Sequence, residues 1–162
     1  MPSVYVESTI PSYLVARPSR DLITTAHQQL TLEWWTTAAE RFELYVSEAV
    51  LYEIRAGDPT LAARRLELIA ALPVLAFSED VESLIRAYDR RLGLTGSARA
   101  DLPHFAYAVA YRMDYLVTWN CAHIANGQII RRLVAVNNEI GRLTPVIVTP
   151  EELVTTYPGD SQ

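Results

Sequence analysis

Five short apolar runs, rich in β-branched and aromatic side chains, recur along the chain: Val4–Val6, Leu44–Val46, Val74–Phe77, Tyr115–Thr118 and Val146–Val148. They are apolar throughout, without strict alternation. Such strands need cover on both faces, a condition met when a parallel sheet is wrapped by helices. Longer stretches with helical spacing separate the runs, so the pattern predicts a layered α/β fold around a mostly parallel sheet of short strands. No repeat, low-complexity run or Gly/Ser linker divides the 162 residues. One domain over residues 1–154 is expected, with a flexible tail over 155–162. A chain of this length buries roughly 70% of its unfolded surface and needs no disulfide or structural zinc. The single cysteine, Cys121, excludes a disulfide framework.

Capping residues set the expected helix limits. Ser19 or Asp21 opens a long helix reaching about Ala39, and Ser47 opens one reaching about Arg55. Asp58-Pro59 leads into Leu61–Leu72, and Ser78 into Val81–Leu92 with Gly93 as its stop. A continuous helix is expected from Ala98 to Met113, another from Asn126 to Ile140, and a short one over Glu151–Val154.

Charge narrows the function. The 14 basic residues are all arginine, the acidic residues number 19, and the formal net charge is −5. Such a chain does not coat nucleic acid through its overall charge; to act on a polyphosphate it needs a local Arg face or bound cations. No apolar run approaches the ~20 residues of a membrane span, and the N-terminus lacks the pattern of a signal peptide. A soluble cytoplasmic protein with no membrane association is expected.

Chemistry in parallel sheets collects beyond the carboxyl ends of the strands. There the first run is followed by Glu7-Ser8-Thr9, the second by Ser47-Glu48 and a helix carrying Glu53, and the fourth by Trp119-Asn120; Asp101 lies in the helix before the fourth. Three acids and an amide thus share a route to one pocket. Each also has a plainer reading. Glu7 at a strand end can be a solvated carboxylate. Glu48 suits the first turn of its helix, where an acid favours the dipole. Glu53, on a partly apolar face, needs a partner, either an Arg or a metal. Asp101, two residues before Pro103, can be an N-cap. Asn120 can be a loop residue. Converging carboxylates are costly: two of them ~5 Å apart repel by ~3 kcal/mol at an effective dielectric of about 20. They take up protons or bind a cation, and oxygen ligands without Cys or several His select Mg²⁺ or Mn²⁺.

Four segments taken in order resemble the PIN-domain family. Val4-Tyr5-Val6-Glu7-Ser8-Thr9-Ile10-Pro11-Ser12-Tyr13-Leu14 is similar to its opening, with Glu where most members have Asp. Ser47-Glu48-Ala49-Val50-Leu51-Tyr52-Glu53-Ile54 resembles the second segment, with Glu53 as its acid, and Ala100-Asp101-Leu102-Pro103-His104-Phe105-Ala106 the third, with Asp101. Asp114 to Asn126 resembles the fourth, with Asn120 where many members carry an acid. The resemblance implies a three-layer α/β/α fold. It further implies a metal-dependent endoribonuclease like the VapC toxins of type II toxin–antitoxin pairs, with RNA as substrate, a small antitoxin as partner and a homodimeric state.

On that reading Glu7, Glu53 and Asp101 hold one Mg²⁺ or Mn²⁺, and Asn120 orients the attacking water or adds a ligand. Ser8 and Thr118 hydroxyls orient waters or cap strand ends. His104, three residues after Asp101 on the same helix face, sits behind the ligands or in the core. Arg17 and Arg20 meet phosphates near Glu7 or pair with surface acids. Because Asn120 brings no charge, the alternative is a PIN module that binds RNA or a protein without cleaving.

Overall fold

A computed structural model describes residues 1–154; the expected tail lies outside them. Five strands form one sheet: β1 (Ser3–Val6), β2 (Glu43–Ser47), β3 (Val74–Leu75), β4 (Tyr115–Val117) and β5 (Val146–Val148). Their order is β3-β2-β1-β4-β5, and every pairing is parallel. The helices are α1 (Thr9–Val15), α2 (Leu22–Arg41), α3 (Glu48–Ile54), α4 (Pro59–Ile69), α5 (Glu79–Leu92), α6 (Gly96–Ala100), α7 (Leu102–Ala110) and α8 (Gly127–Glu139). A 3-10 turn over Pro150–Leu153 follows β5.

The chain steps outward from β1 to β2 to β3, then crosses back to β4 and β5. Right-handed crossovers put connections of opposite direction on opposite faces. The helix contacts follow: α1 packs on α2 and α4, and α3 on α4, whereas α5 packs on α7 and α8. The result is the expected α/β/α three-layer architecture. Its core runs through the sheet, where Val4, Val6, Val46, Leu116 and Val117 are buried, and into α2 through Trp34.

Most helix starts follow their caps. Asp21 accepts from the Thr24 amide at 2.9 Å, Ser47 from Val50 at 3.2 Å, Asp58 from Leu61 at 3.0 Å and Ser78 from Val81 at 3.2 Å. Gly93 ends α5 in the left-handed conformation at φ 61°. β3 is shorter than the expected Val74–Phe77, α4 ends at Ile69 rather than Leu72, and the short helix expected over Glu151–Val154 is a 3-10 turn; the larger differences are two. Residues 9–15, given no helix by sequence, form α1; Pro11 lies in its first turn, where a missing N–H leaves no bond unmade. The continuous helix over 98–113 is instead α6 and α7. Pro103 cannot donate to the carbonyl four residues back, so the ladder restarts at Asp101. The second helix then ends at Ala110, and Arg112 takes a left-handed φ of 54°. Among the described residues no helix is long and apolar enough to cross a membrane.

Candidate active site

The strand order reverses between β1 and β4, and ligands of open parallel sheets bind in the crevice at such a switch point, beyond the carboxyl ends. Glu7 and Thr118 follow those two strands directly, in register, since Val6 pairs with Val117 and the Glu7 amide donates to the Val117 carbonyl at 3.1 Å. Glu7 is 2% exposed, so the solvated-carboxylate reading fails. A buried anion needs donors. Its Oε2 accepts from the Thr9 amide at 3.0 Å, the Thr9 hydroxyl at 2.5 Å and the Thr118 hydroxyl at 2.7 Å; its Oε1 accepts from Ser8 Oγ at 2.9 Å.

Glu53 comes from α3, which Ser47 caps at the end of β2, the other neighbour of β1. Its partner is neither of those weighed from sequence but a histidine: His104 Nε2 lies 2.5 Å from Oε1, and Ser8 Oγ contacts Oε2. Burial pushes the Glu53 carboxyl up, but the hydrogen bond and charge of His104, with the Ser8 bond, carry it below its ordinary value. His104 is fully buried on α7. Burial pushes its imidazole down, and the Glu53 bond with the charges of Glu7, Glu53 and Asp101 reverses this to a net rise. One ligating atom each of Glu7, Glu53 and His104 lie within 4.8 Å of one another. Glu48, in contrast, stays in the first turn of α3 and accepts from the Phe77 amide at 2.9 Å.

Asp101 stands at the break between α6 and α7 and makes no cap bond, so the N-cap reading fails as well. Its Oδ2 accepts from Asn120 Nδ2 at 2.9 Å and lies 3.1 Å from His123 Nδ1. It is not one of the trio within 4.8 Å. Burial raises its carboxyl, more than the Asn120 bond, His104 and the His123 bond lower it, and the charge of Glu7 adds to the rise. Asn120 itself is turned by two bonds: its amide nitrogen faces Asp101, and its Oδ1 accepts from the His123 amide at 3.0 Å. Arg17 and Arg20 are exposed after α1, and among the described residues neither has an ion-pair partner.

The donor set fits a hard divalent cation. The Ser8 hydroxyl has one proton but contacts a carboxylate oxygen of both Glu7 and Glu53. One hydroxyl proton is shared between the two, so the facing carboxylate oxygens keep acceptor capacity that a proton or a cation can fill. Among the described residues Asp101 Oδ1 has no donor, and both nitrogens of His104 are engaged, with Tyr5 and Glu53. The open positions are therefore mostly on oxygens, as Mg²⁺ and Mn²⁺ prefer.

Sequence reasoning missed Tyr5, Thr9, Ser47 and His123 as parts of this site. Tyr5 is two residues before Glu7 and so on the same face of its strand, a usable signal. Ser47 was legible only as a cap. His123 is joined to Asp101 by a contact across 22 positions that no local pattern encodes.

No protein-family model matches the chain, and no curated protein matches it in sequence. Among solved structures it is similar to a chain in the crystal structure of VapBC2 from Rickettsia felis bound to a DNA fragment from their promoter. The two are 13% identical, with a TM-score of 0.53, over 90% of this chain and 97% of that one. At that identity the likeness is one of fold.

Proposed function

We propose that this chain is a Mg²⁺- or Mn²⁺-dependent endoribonuclease of PIN type, and the toxin of a type II toxin–antitoxin pair. The observation that carries the reading is the buried Glu7 at the switch point, sharing the Ser8 hydroxyl with Glu53. The fold neighbour, from a VapBC complex, agrees with the pair to which the sequence resemblance points.

Glu7, Glu53 and Asp101 would hold the cation. When bound, it supplies positive charge to a phosphoryl oxygen and makes water a nucleophile near neutral pH. The remaining residues hold this set in place. Thr9 and Thr118 fix Glu7, Ser8 bridges Glu7 and Glu53, and Asn120 with His123 fixes Asp101. Arg17 and Arg20 are assigned to the phosphates of the bound strand. An RNA substrate, a small antitoxin laid over the acidic groove and a homodimer complete the proposal.

The test is cleavage of single-stranded RNA with Mg²⁺ or Mn²⁺. Glu7→Gln and Asp101→Asn are each expected to lower the rate by about 100-fold or more, the upper end of the cost of losing support for a metal ligand. Activity that survives both contradicts the reading. A non-cleaving module that binds RNA or a protein is favoured by one observation, the uncharged Asn120 with its carbonyl turned to a backbone amide. Divalent-ion affinity without cleavage would support it.

A further inference from the structure

Behind Glu53 runs a line of buried polar side chains that the proposed reaction does not use. Ser47 Oγ lies 2.7 Å from the Tyr5 hydroxyl, the Tyr5 hydroxyl lies 2.7 Å from His104 Nδ1, and His104 Nε2 lies 2.5 Å from Glu53 Oε1. Tyr5, Ser47 and His104 are each 0% exposed. The three residues come from three elements, the ends of β1 and β2 and the first turn of α7.

Donor and acceptor chemistry gives the line a direction. An ionised carboxylate only accepts, so the proton facing Glu53 sits on Nε2. At the far end the Val50 amide donates to Ser47 Oγ at 3.2 Å. With a neutral ring, Nδ1 must accept from Tyr5, and Tyr5 then accepts from Ser47. With a charged ring the two inner bonds reverse, yet Nε2–H still points at Glu53. A ring turned over by 180° would place carbons where both nitrogens now bond.

We propose that Tyr5 and Ser47 lock the His104 ring so that its Nε2–H holds Glu53 Oε1, which makes His104 a positioning residue for Glu53 and not a ligand of the cation. This rests on the metal-site reading above. Carboxylates that ligate metals are in turn held by hydrogen bonds from the residues behind them, and losing such a support costs about 10- to 100-fold in affinity.

The test uses the full chain and Mn²⁺ alone. Long-range ¹H–¹⁵N spectra of the metal-free protein are expected to show the His104 proton on Nε2. Tyr5→Phe removes one oxygen and keeps the ring; with Nδ1 left without its partner the ring is free to turn, so the Nδ1 signal should shift, the Nε2–H bond to Glu53 should loosen and Mn²⁺ binding should weaken about tenfold. His104→Gln retains an N–H donor and should stay within about threefold of the parent, whereas His104→Phe should lose at least about tenfold. If His104→Phe does not fold, Tyr5→Phe carries the test. Unchanged nitrogen shifts in Tyr5→Phe, equal losses in the Gln and Phe variants, or a Mn²⁺ adduct with directly bonded imidazole nitrogen in pulsed EPR would each overturn the proposal. Should the parent protein bind no Mn²⁺, the metal reading falls, and the ring shifts, which need no metal, decide alone whether Tyr5 and Ser47 lock the ring.

Discussion

Glu7, at 2% exposure, has three donors on one oxygen, and Ser8, which binds its other oxygen, also brings Glu53 against it. The balance among these charges is readable as pH dependence. The folded protein raises the His104 pKa above its ordinary 6.5, so the stability His104 contributes is fully present below 6.5 and is lost as pH rises through the raised value. Glu53 is lowered from 4.5, so its contribution is present above 4.5 and is lost as pH falls through the lowered value. Asp101 is raised from 3.8, and its ionisation in the fold opposes stability as pH rises through the raised value. The metal-free protein is therefore expected to melt at lower temperature as pH climbs above about 6.5, with most of that decline gone in His104→Gln. A profile flat from pH 6.5 to 8 in the parent protein would contradict this assignment. The sequence placed Glu7 and Asp101 at the sheet's edge because one follows a strand and the other opens a helix, whereas Glu53, near the end of α3, was reached through its partly apolar face and the resemblance. His104 as the partner of Glu53 was not legible, since the two are 51 positions apart on different helices.

At the scale of elements, capping chemistry accounted for the starts of α2, α3, α4, α5 and α8, because a cap is a local bond between neighbours. The break at Asp101 needed more. A proline in a helical stretch reads equally as a first turn or an interruption, and here Pro103 ends one helix and begins another. That break leaves the Asp101 side chain free of capping, facing Asn120 and His123. Stops are testable in the same terms. Gly93 closes α5 at φ 61°, where a Cβ strains the backbone, with Arg132 Nη2 3.8 Å from the added atom. Gly93→Ala should cost about 1 kcal/mol and lower the melting temperature by roughly 2–4 °C, measured by calorimetry. An unchanged melt would mean that the turn relaxes to another conformation.

For the whole molecule, five parallel strands in the order β3-β2-β1-β4-β5 place the carboxyl ends of β2, β1 and β4 side by side. Acids remote in sequence meet there because the crossovers return each strand in the same direction. This part of the fold was the most legible, since strands covered on both faces announce themselves by composition. On the proposed reading, a net charge of −5 leaves the chain's contact with RNA to local charge. Its affinity for a single strand is expected to depend on divalent ions, falling at least about tenfold on addition of EDTA at constant ionic strength, because the cation inverts the local field. Filter binding measures this, and equal affinity with and without EDTA would assign RNA contact to the arginines alone. The most direct test of the central claim is anomalous diffraction from a crystal soaked in Mn²⁺. One peak bounded by the carboxylates of Glu7, Glu53 and Asp101 is the predicted result. Those side chains well ordered around no peak, at a Mn²⁺ concentration that saturates known Mn²⁺-dependent nucleases, would contradict it.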